Sequence, residues 1–311
     1  MIRILVATLA LGGSTIPYAP KSNLGCDRHE ELPDVMIFQE IGTKGFSCSY
    51  LRNGDSVLTI FDYIESSGMV IPIKITHGPN NDGSDILYVS GGPRTDSPYV
   101  PDFVRRLALD GHVVYTPIYH GKLFTDHPNP DIEAAARSIE SVCHQLIKCN
   151  AVISASAGSY VYMTSAIEDT NNHVMLMPLL TAPRNVADRL GWGGVTSSRE
   201  TCLWHEEGHT VCDSPWHMYK SFWGKYFNQP VNLKLSHKKG KYFYIVGDDD
   251  NNTTIEENLH LIEDFDVDVF VLPGGTHRST PKDRSVIDHI SSIFAEVAVE
   301  SDGGSPSPSS K

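Results

Sequence analysis

Short apolar runs, each the length of one buried strand, recur along this chain and mostly alternate with stretches of helical periodicity. Residues 86–89, 113–115, 151–153, 174–177, 242–246 and 267–272 are such runs. A strand with one wet face alternates apolar and polar residues, whereas a strand covered on both faces reads as continuously apolar. Between the runs, residues 100–109, 132–147, 159–168, 255–265 and 285–297 read as helices. In the second of these, Ile132, Ala135, Ala136, Ile139, Val142, Cys143 and Leu146 fall on one helical face. This alternation predicts an α/β chain with a doubly wound, mainly parallel sheet. Ahead of it, residues 57–63 and 69–76 are β-rich and flank the turn Glu65-Ser66-Ser67-Gly68, which predicts an N-terminal antiparallel hairpin. Residues 183–237 break the pattern: they are irregular and rich in Gly, Trp and Cys, and are expected to form a cap inserted into a core of residues 35–182 and 238–299.

A length of 311 residues suits one large domain with an insertion, or two small ones, and a net charge of −13 argues against a nucleic-acid partner, which needs clustered Lys and Arg. Arg3 precedes an apolar run from 4 to 11 and then Gly12-Gly13-Ser14, the layout of a secretory signal peptide over about residues 1–19, with a buried strand from Arg3 to Leu9 as the other reading. The run is too short to span a bilayer, so no stable membrane insertion is expected after processing. Six cysteines fit an oxidising compartment, with buried free thiols as the other reading, and the chain is expected to be secreted or periplasmic. Sequence neighbours pair as Cys26/Cys48, Cys143/Cys149 and Cys202/Cys212, although six cysteines admit about 15 connectivities. Residues 301–311, dominated by Ser, Pro and Gly, read as a disordered tail.

The chemistry concentrates at three loops that follow strands. The run 151–153 leads into Ser154-Ala155-Ser156-Ala157-Gly158 and then a helix. A serine presented on so sharp a strand-to-helix turn needs small neighbours, and Ser154 and Gly158 supply them. Later, Gly247-Asp248-Asp249-Asp250 places an acid beyond the strand at 242–246, and Pro273-Gly274-Gly275-Thr276-His277 places a histidine beyond the strand at 267–272. His277 would take the proton of Ser156 and return it to a leaving group, with a carboxylate fixing its tautomer. At most one of the three aspartates can aim at His277. The usual Gly-x-x-Asp spacing selects Asp250, with Asp249 next. The loop Ser90-Gly91-Gly92-Pro93 ends the strand at 86–89. It offers Gly92 as one backbone donor to an oxyanion, and Ala157, the residue after the nucleophile, offers the other.

With these residues in the order Ser, Asp, His, the sequence resembles the α/β-hydrolase superfamily over nearly its whole length. Within it, Asp62-Tyr63, Gly68, Ile71-Pro72-Ile73 and the run from Ile86 to Pro93 resemble the front end of proline iminopeptidase and tripeptidyl aminopeptidase relatives. Those usually carry His or a similar residue before Gly-Gly-Pro-Gly, whereas here Ser90 precedes the glycines and Arg94 follows the proline. The resemblance implies an acyl-enzyme mechanism on a small ester or a small peptide or amide, without a metal or organic cofactor. Two other readings stand beside it. His205-Glu206-Glu207-Gly208-His209 satisfies H-E-x-x-H, the zinc-protease signature, which requires a helix to bring both histidines to one face. Cys202 and Cys212 bracket that segment like a closed loop, with Pro215 where a third histidine ligand would fall. The chain could also be a non-catalytic binding protein on a hydrolase scaffold. Trp192, Trp204, Trp216 and Trp223 form either an aromatic wall over the site or ordinary packing in the cap.

Overall fold

The computed structural model describes residues 39–41, 44–50, 56–66, 69–81, 83–91, 100–119, 131–190, 202–206, 209–212, 222–231, 239–262 and 266–302. The expected leader at 1–19, Cys26, Gly92 and the tail from residue 303 lie outside them. In chain order the elements are β1 (Gln39–Ile41), β2 (Lys44–Tyr50), β3 (Ser56–Ser66), β4 (Met69–His77), β5 (Asp85–Val89), α1 (Asp102–Leu109), β6 (Val113–Pro117), α2 (Ile132–Gln145), β7 (Ala151–Ala155), α3 (Ala157–Thr164) and β8 (Asp169–Leu176). They continue with α4 (Pro183–Arg189), β9 (Cys202–Glu206), β10 (His209–Cys212), β11 (Lys239–Gly247), α5 (Ile255–Ile262), β12 (Val267–Leu272) and α6 (Arg284–Asp302).

Ten strands form one sheet in the order β1-β2-β3-β4-β6-β5-β7-β8-β11-β12. From β6 to β12 every neighbouring pair is parallel. Strands β1 to β4 are antiparallel, and β4 meets β6 antiparallel. The expected N-terminal hairpin is present as β3–β4, closing with Ser66 opposite Met69. The sequence reading did not anticipate β1 and β2.

Helices cover both faces of β5, β7, β8 and β11, whose side chains alternate between them, whereas β12 has a neighbour on one side only and leaves Val269 and Val271 of the run at 267–272 exposed. Leu87, Val89, Val152, Met175, Tyr244 and Val246 share one core with Ile139, Val142, Val161 and Ile262 from α2, α3 and α5. Ile86, Tyr88, Ile153, Val174, Leu176 and Ile245 share the other with Phe103, Leu107, Ile290 and Phe294 from α1 and α6. Both faces being buried is why these strands read as unbroken apolar runs, and each fully buried Leu, Ile or Phe contributes roughly 1.5–3 kcal/mol. Asp131 starts α2 by accepting the Ala134 N–H at 2.8 Å. The Cys143–Cys149 disulfide ties the end of that helix to the entry of β7.

The interval 183–237 contains α4, the β9–β10 hairpin and a 3-10 turn at Gly224–Asn228. Cys202 and Cys212 are register partners in the hairpin. Trp223 is buried, its ring 4.8 Å from that of Tyr160 and 5.1 Å from that of Phe222, so it is a packing residue. The side chains of Trp192, Trp204 and Trp216 lie outside what the structure describes. Helix α6 runs through Asp302, two residues into the stretch expected as tail. Among the described residues no helix is long and apolar enough to cross a membrane.

Candidate active site

The strand order turns at β5, because the chain goes outward to β6 and then returns to the other flank of β5 with β7. Loops leaving neighbouring strands in opposite directions open a crevice at the carboxyl ends of those strands. Ser90-Gly91 ends β5 and Ser156 ends β7, so both face that crevice from adjacent strands.

Ser156 adopts φ 48° and ψ −123°, a conformation that L residues rarely occupy. It is held there from both sides: its N–H donates to Leu176 O at 3.0 Å, and its carbonyl accepts from Leu179 N and Ser159 N, each at 3.0 Å. The small neighbours are obligatory. A Cβ on Gly158 would sit 2.2 Å from Val89 O, and one on Gly91 would sit 2.5 Å from Ala155 O and 2.6 Å from the Ser156 Cβ. Ser154, standing where the usual motif has its first glycine, is fully buried. Its hydroxyl lies 3.0 Å from Ser159 Oγ and 2.6 Å from His173 Nε2, so it ties the first turn of α3 to β8.

The acid and histidine loops meet along a seam between β11 and β12. Asp248 accepts the Gly274 N–H at 2.6 Å, and the Asp249 N–H donates to Gly275 O at 3.0 Å. Asp250 is left to face His277, with its Oδ2 2.8 Å from Nδ1. The ring's other nitrogen, Nε2, lies 3.0 Å from Ser156 Oγ. The structure thus brings Ser156, His277 and Asp250 into one hydrogen-bonded chain and gives Asp248 and Asp249 different work. An ionised carboxylate only accepts, so His277 donates through Nδ1 and turns the Nε2 lone pair to the serine hydroxyl.

Asp250 is almost fully buried. Its Oδ1 accepts from Asn252 N at 2.9 Å and Thr253 N at 3.0 Å, and the Thr253 hydroxyl lies 3.0 Å from Oδ2. Burial pushes the carboxyl up, but the His277 hydrogen bond and charge, with the two N–H donors, outweigh it and hold the group below its ordinary value. A depressed native value stabilises the fold above the unfolded value of 3.8, and that gain disappears as pH falls through the native value. The urea midpoint is therefore expected to drop more steeply on acidification for the natural chain than for Asp250→Asn. Parallel pH profiles for the two proteins would contradict this account of Asp250.

Ala157 opens α3, so its N–H belongs to a first turn whose amides have no intrahelical acceptor. His205, Glu206 and His209 lie on the β9–β10 hairpin, with Glu206 opposite His209 and His205 opposite Thr210, so the helix that H-E-x-x-H depends on is absent. Thr253, part of the sequon Asn251-Asn252-Thr253, supports Asp250 through its N–H and hydroxyl, a role that the sequence pattern did not indicate.

Neither a protein-family model nor a curated protein matches the sequence. Solved structures do match in shape. An esterase from Pyrococcus furiosus is 15% identical with a TM-score of 0.55, over 78% of this chain and 91% of that one. The Est1E protein of Butyrivibrio proteoclasticus is 14% identical with a TM-score of 0.51, over 78% of this chain and 99% of that one. The chain has the α/β-hydrolase fold. A puromycin hydrolase is also similar, 13% identical with a TM-score of 0.53, over 84% of this chain and 46% of that longer one. On the α/β-hydrolase sheet, Ser156, Asp250 and His277 occupy the loops after β7, β11 and β12.

Proposed function

We propose that this chain is a serine hydrolase that cleaves a carboxylic ester or a small peptide or amide through an acyl-enzyme. The unbroken hydrogen-bonded chain from Asp250 through His277 to Ser156 Oγ carries this reading. As Oγ attacks the substrate carbonyl, its proton passes to His277 Nε2, and the carbonyl π electrons move onto oxygen. The Ala157 N–H, with Gly92 as its expected second donor, binds that oxyanion. The intermediate collapses, the bond to the leaving group breaks, and His277 hands its proton to the departing oxygen or nitrogen. Water repeats the sequence on the acyl-enzyme, releasing the acid and restoring Ser156. The reaction as written draws on no metal or organic cofactor.

Esterases and a puromycin hydrolase among the proteins of similar shape support both substrate classes. The Cys143–Cys149 disulfide supports an extracytoplasmic location, and the 183–237 insertion is the segment proposed to select the substrate. A fluorophosphonate probe is expected to label the folded protein at Ser156 and to leave Ser156→Ala unlabelled. A panel of nitrophenyl esters and aminoacyl-nitroanilides then separates esterase from peptidase. Activity that survives Ser156→Ala and disappears with a chelator would overturn the assignment in favour of the H-E-x-x-H segment. Failure of labelling in folded protein would favour a non-catalytic binder.

A further inference from the structure

Arg189, the last residue of α4, reaches out of the inserted segment to the loop that carries Asp250. Its Nε donates to Asn251 O at 3.0 Å and its Nη2 to Asn252 O at 2.7 Å, while Nη1 pairs with Glu257. These two carbonyls belong to the same peptide groups whose N–H bonds point at the acid: Asn252 N and Thr253 N both donate to Asp250 Oδ1. Each peptide group is planar and trans, so its carbonyl and N–H point in opposite directions and one fork fixes both. The guanidinium thus grips the far side of two adjacent peptides and presents their donors to a single carboxylate oxygen. It also polarises them, since a cation at the carbonyl strengthens the N–H as a donor. Oδ1 is saturated by this arrangement, which leaves Oδ2 to His277 and the Thr253 hydroxyl.

We propose that Arg189 is a positioning residue for Asp250, acting through the Asn251–Asn252 and Asn252–Thr253 peptide groups and so coupling the stem of the insertion to the catalytic acid. The proposal rests on the triad reading for its effect on turnover. The groups hydrogen-bonded to Asp250 are His277, the Thr253 hydroxyl and these two peptides; burial first and then the Asp250 charge push the Tyr244 hydroxyl of β11 up, and Glu257 pairs with Arg189 itself. Among the described residues, only the fork joins α4 to that set. A planar two-donor edge is needed, so Lys, which offers a point charge, can hold one carbonyl but not both in register.

The test compares the full-length protein with Arg189→Met, Arg189→Lys and, as a control on the same helix, Arg184→Met. The expected result for Arg189→Met with p-nitrophenyl acetate is a kcat lower by about ten-fold at nearly unchanged KM, with Arg189→Lys in between. In parallel, NMR titration of isotope-labelled aspartate is expected to show the Asp250 carboxyl protonating at higher pH in Arg189→Met than in the parent. Arg184→Met is expected to match the parent in both measurements. An Asp250 titration unmoved in folded Arg189→Met overturns the proposal, as does a change confined to KM, which would make Arg189 a substrate contact. Should Arg189→Met fail to fold, Arg189→Lys decides by the same two readings. The titration needs no turnover, so it judges Arg189 even if fluorophosphonate labelling sinks the hydrolase reading.

Discussion

Ser156→Ala is expected to lower p-nitrophenyl acetate hydrolysis by about 10⁵–10⁶-fold, and His277→Ala by a similar factor, with the double variant no worse than either. The non-additivity is the sharper part of the expectation. In the proposed mechanism Nε2, 3.0 Å from Oγ, serves to move that proton, so either group is idle without the other. Asp250→Ala is expected to cost less, about 10⁴-fold, because His277 can still accept a proton with its orientation lost. Stability should move the opposite way at Ser156. Ser156 occupies φ 48° and ψ −123°, and such strain in a residue with a Cβ costs on the order of 1–3 kcal/mol. Ser156→Gly is expected to be as inactive as the alanine variant yet more stable to urea by about 1 kcal/mol, once the greater freedom of glycine in the unfolded chain is deducted. A Ser156→Ala protein within ten-fold of the parent's rate would remove Ser156 from the chemistry altogether.

What the sequence disclosed and what it hid divide along physical lines. Strands β5 and β7 were readable because burial on both faces makes residues such as Ile86, Leu87, Val152 and Ile153 uniformly apolar. The first half of β8 was not, since Asp169, Thr170, Asn171, Asn172 and His173 look like a loop. They are strand because β7 and β11 flank them, pairing Asn172 with both Ala151 and Lys241. Helix α3 was expected to start at 159, because Ala157-Gly158 reads as turn; the strained backbone at Ser156 does the turning alone, and the helix begins one residue later. Strand β2, with Gly45, Ser47 and Ser49 between its larger residues, carried too little β propensity to stand out. The three aspartates could be ranked by spacing, but only the register of the seam assigns Asp248 to Gly274 and Asp250 to His277. Arg189 left no local trace: its partners lie more than sixty positions away and are backbone carbonyls, which every residue has.

The same seam sets the largest expected effect outside the proposed triad. An ideal Cβ on Gly247 would lie 2.0 Å from Gly275 O, 2.2 Å from Gly275 C and 2.6 Å from its Cα. All three are backbone atoms, so no side chain can rotate away to make room. Gly274, one position along, makes the contrast: its Cβ would meet nothing within 4 Å, and its only demand is φ 67°. Gly274→Ala is therefore expected to cost about 1 kcal/mol of conformational strain and to leave the two loops together. Gly247→Ala must instead push them apart, which is expected to cost about 3 kcal/mol or more by urea unfolding. Separation would stretch three ties at once: Asp248 to Gly274 at 2.6 Å, Asp249 N to Gly275 O at 3.0 Å, and Asp250 to His277 at 2.8 Å. The first two hold the loops so that the third can form, and a displacement near 1 Å at a reacting group costs on the order of a hundred-fold in rate. Folded Gly247→Ala protein is accordingly expected to lose at least that factor in kcat, while Gly274→Ala stays within a few-fold of the parent. Equal stability and equal rates for the two alanine variants would mean that the Gly247–Gly275 contact does not set the distance between Asp250 and His277.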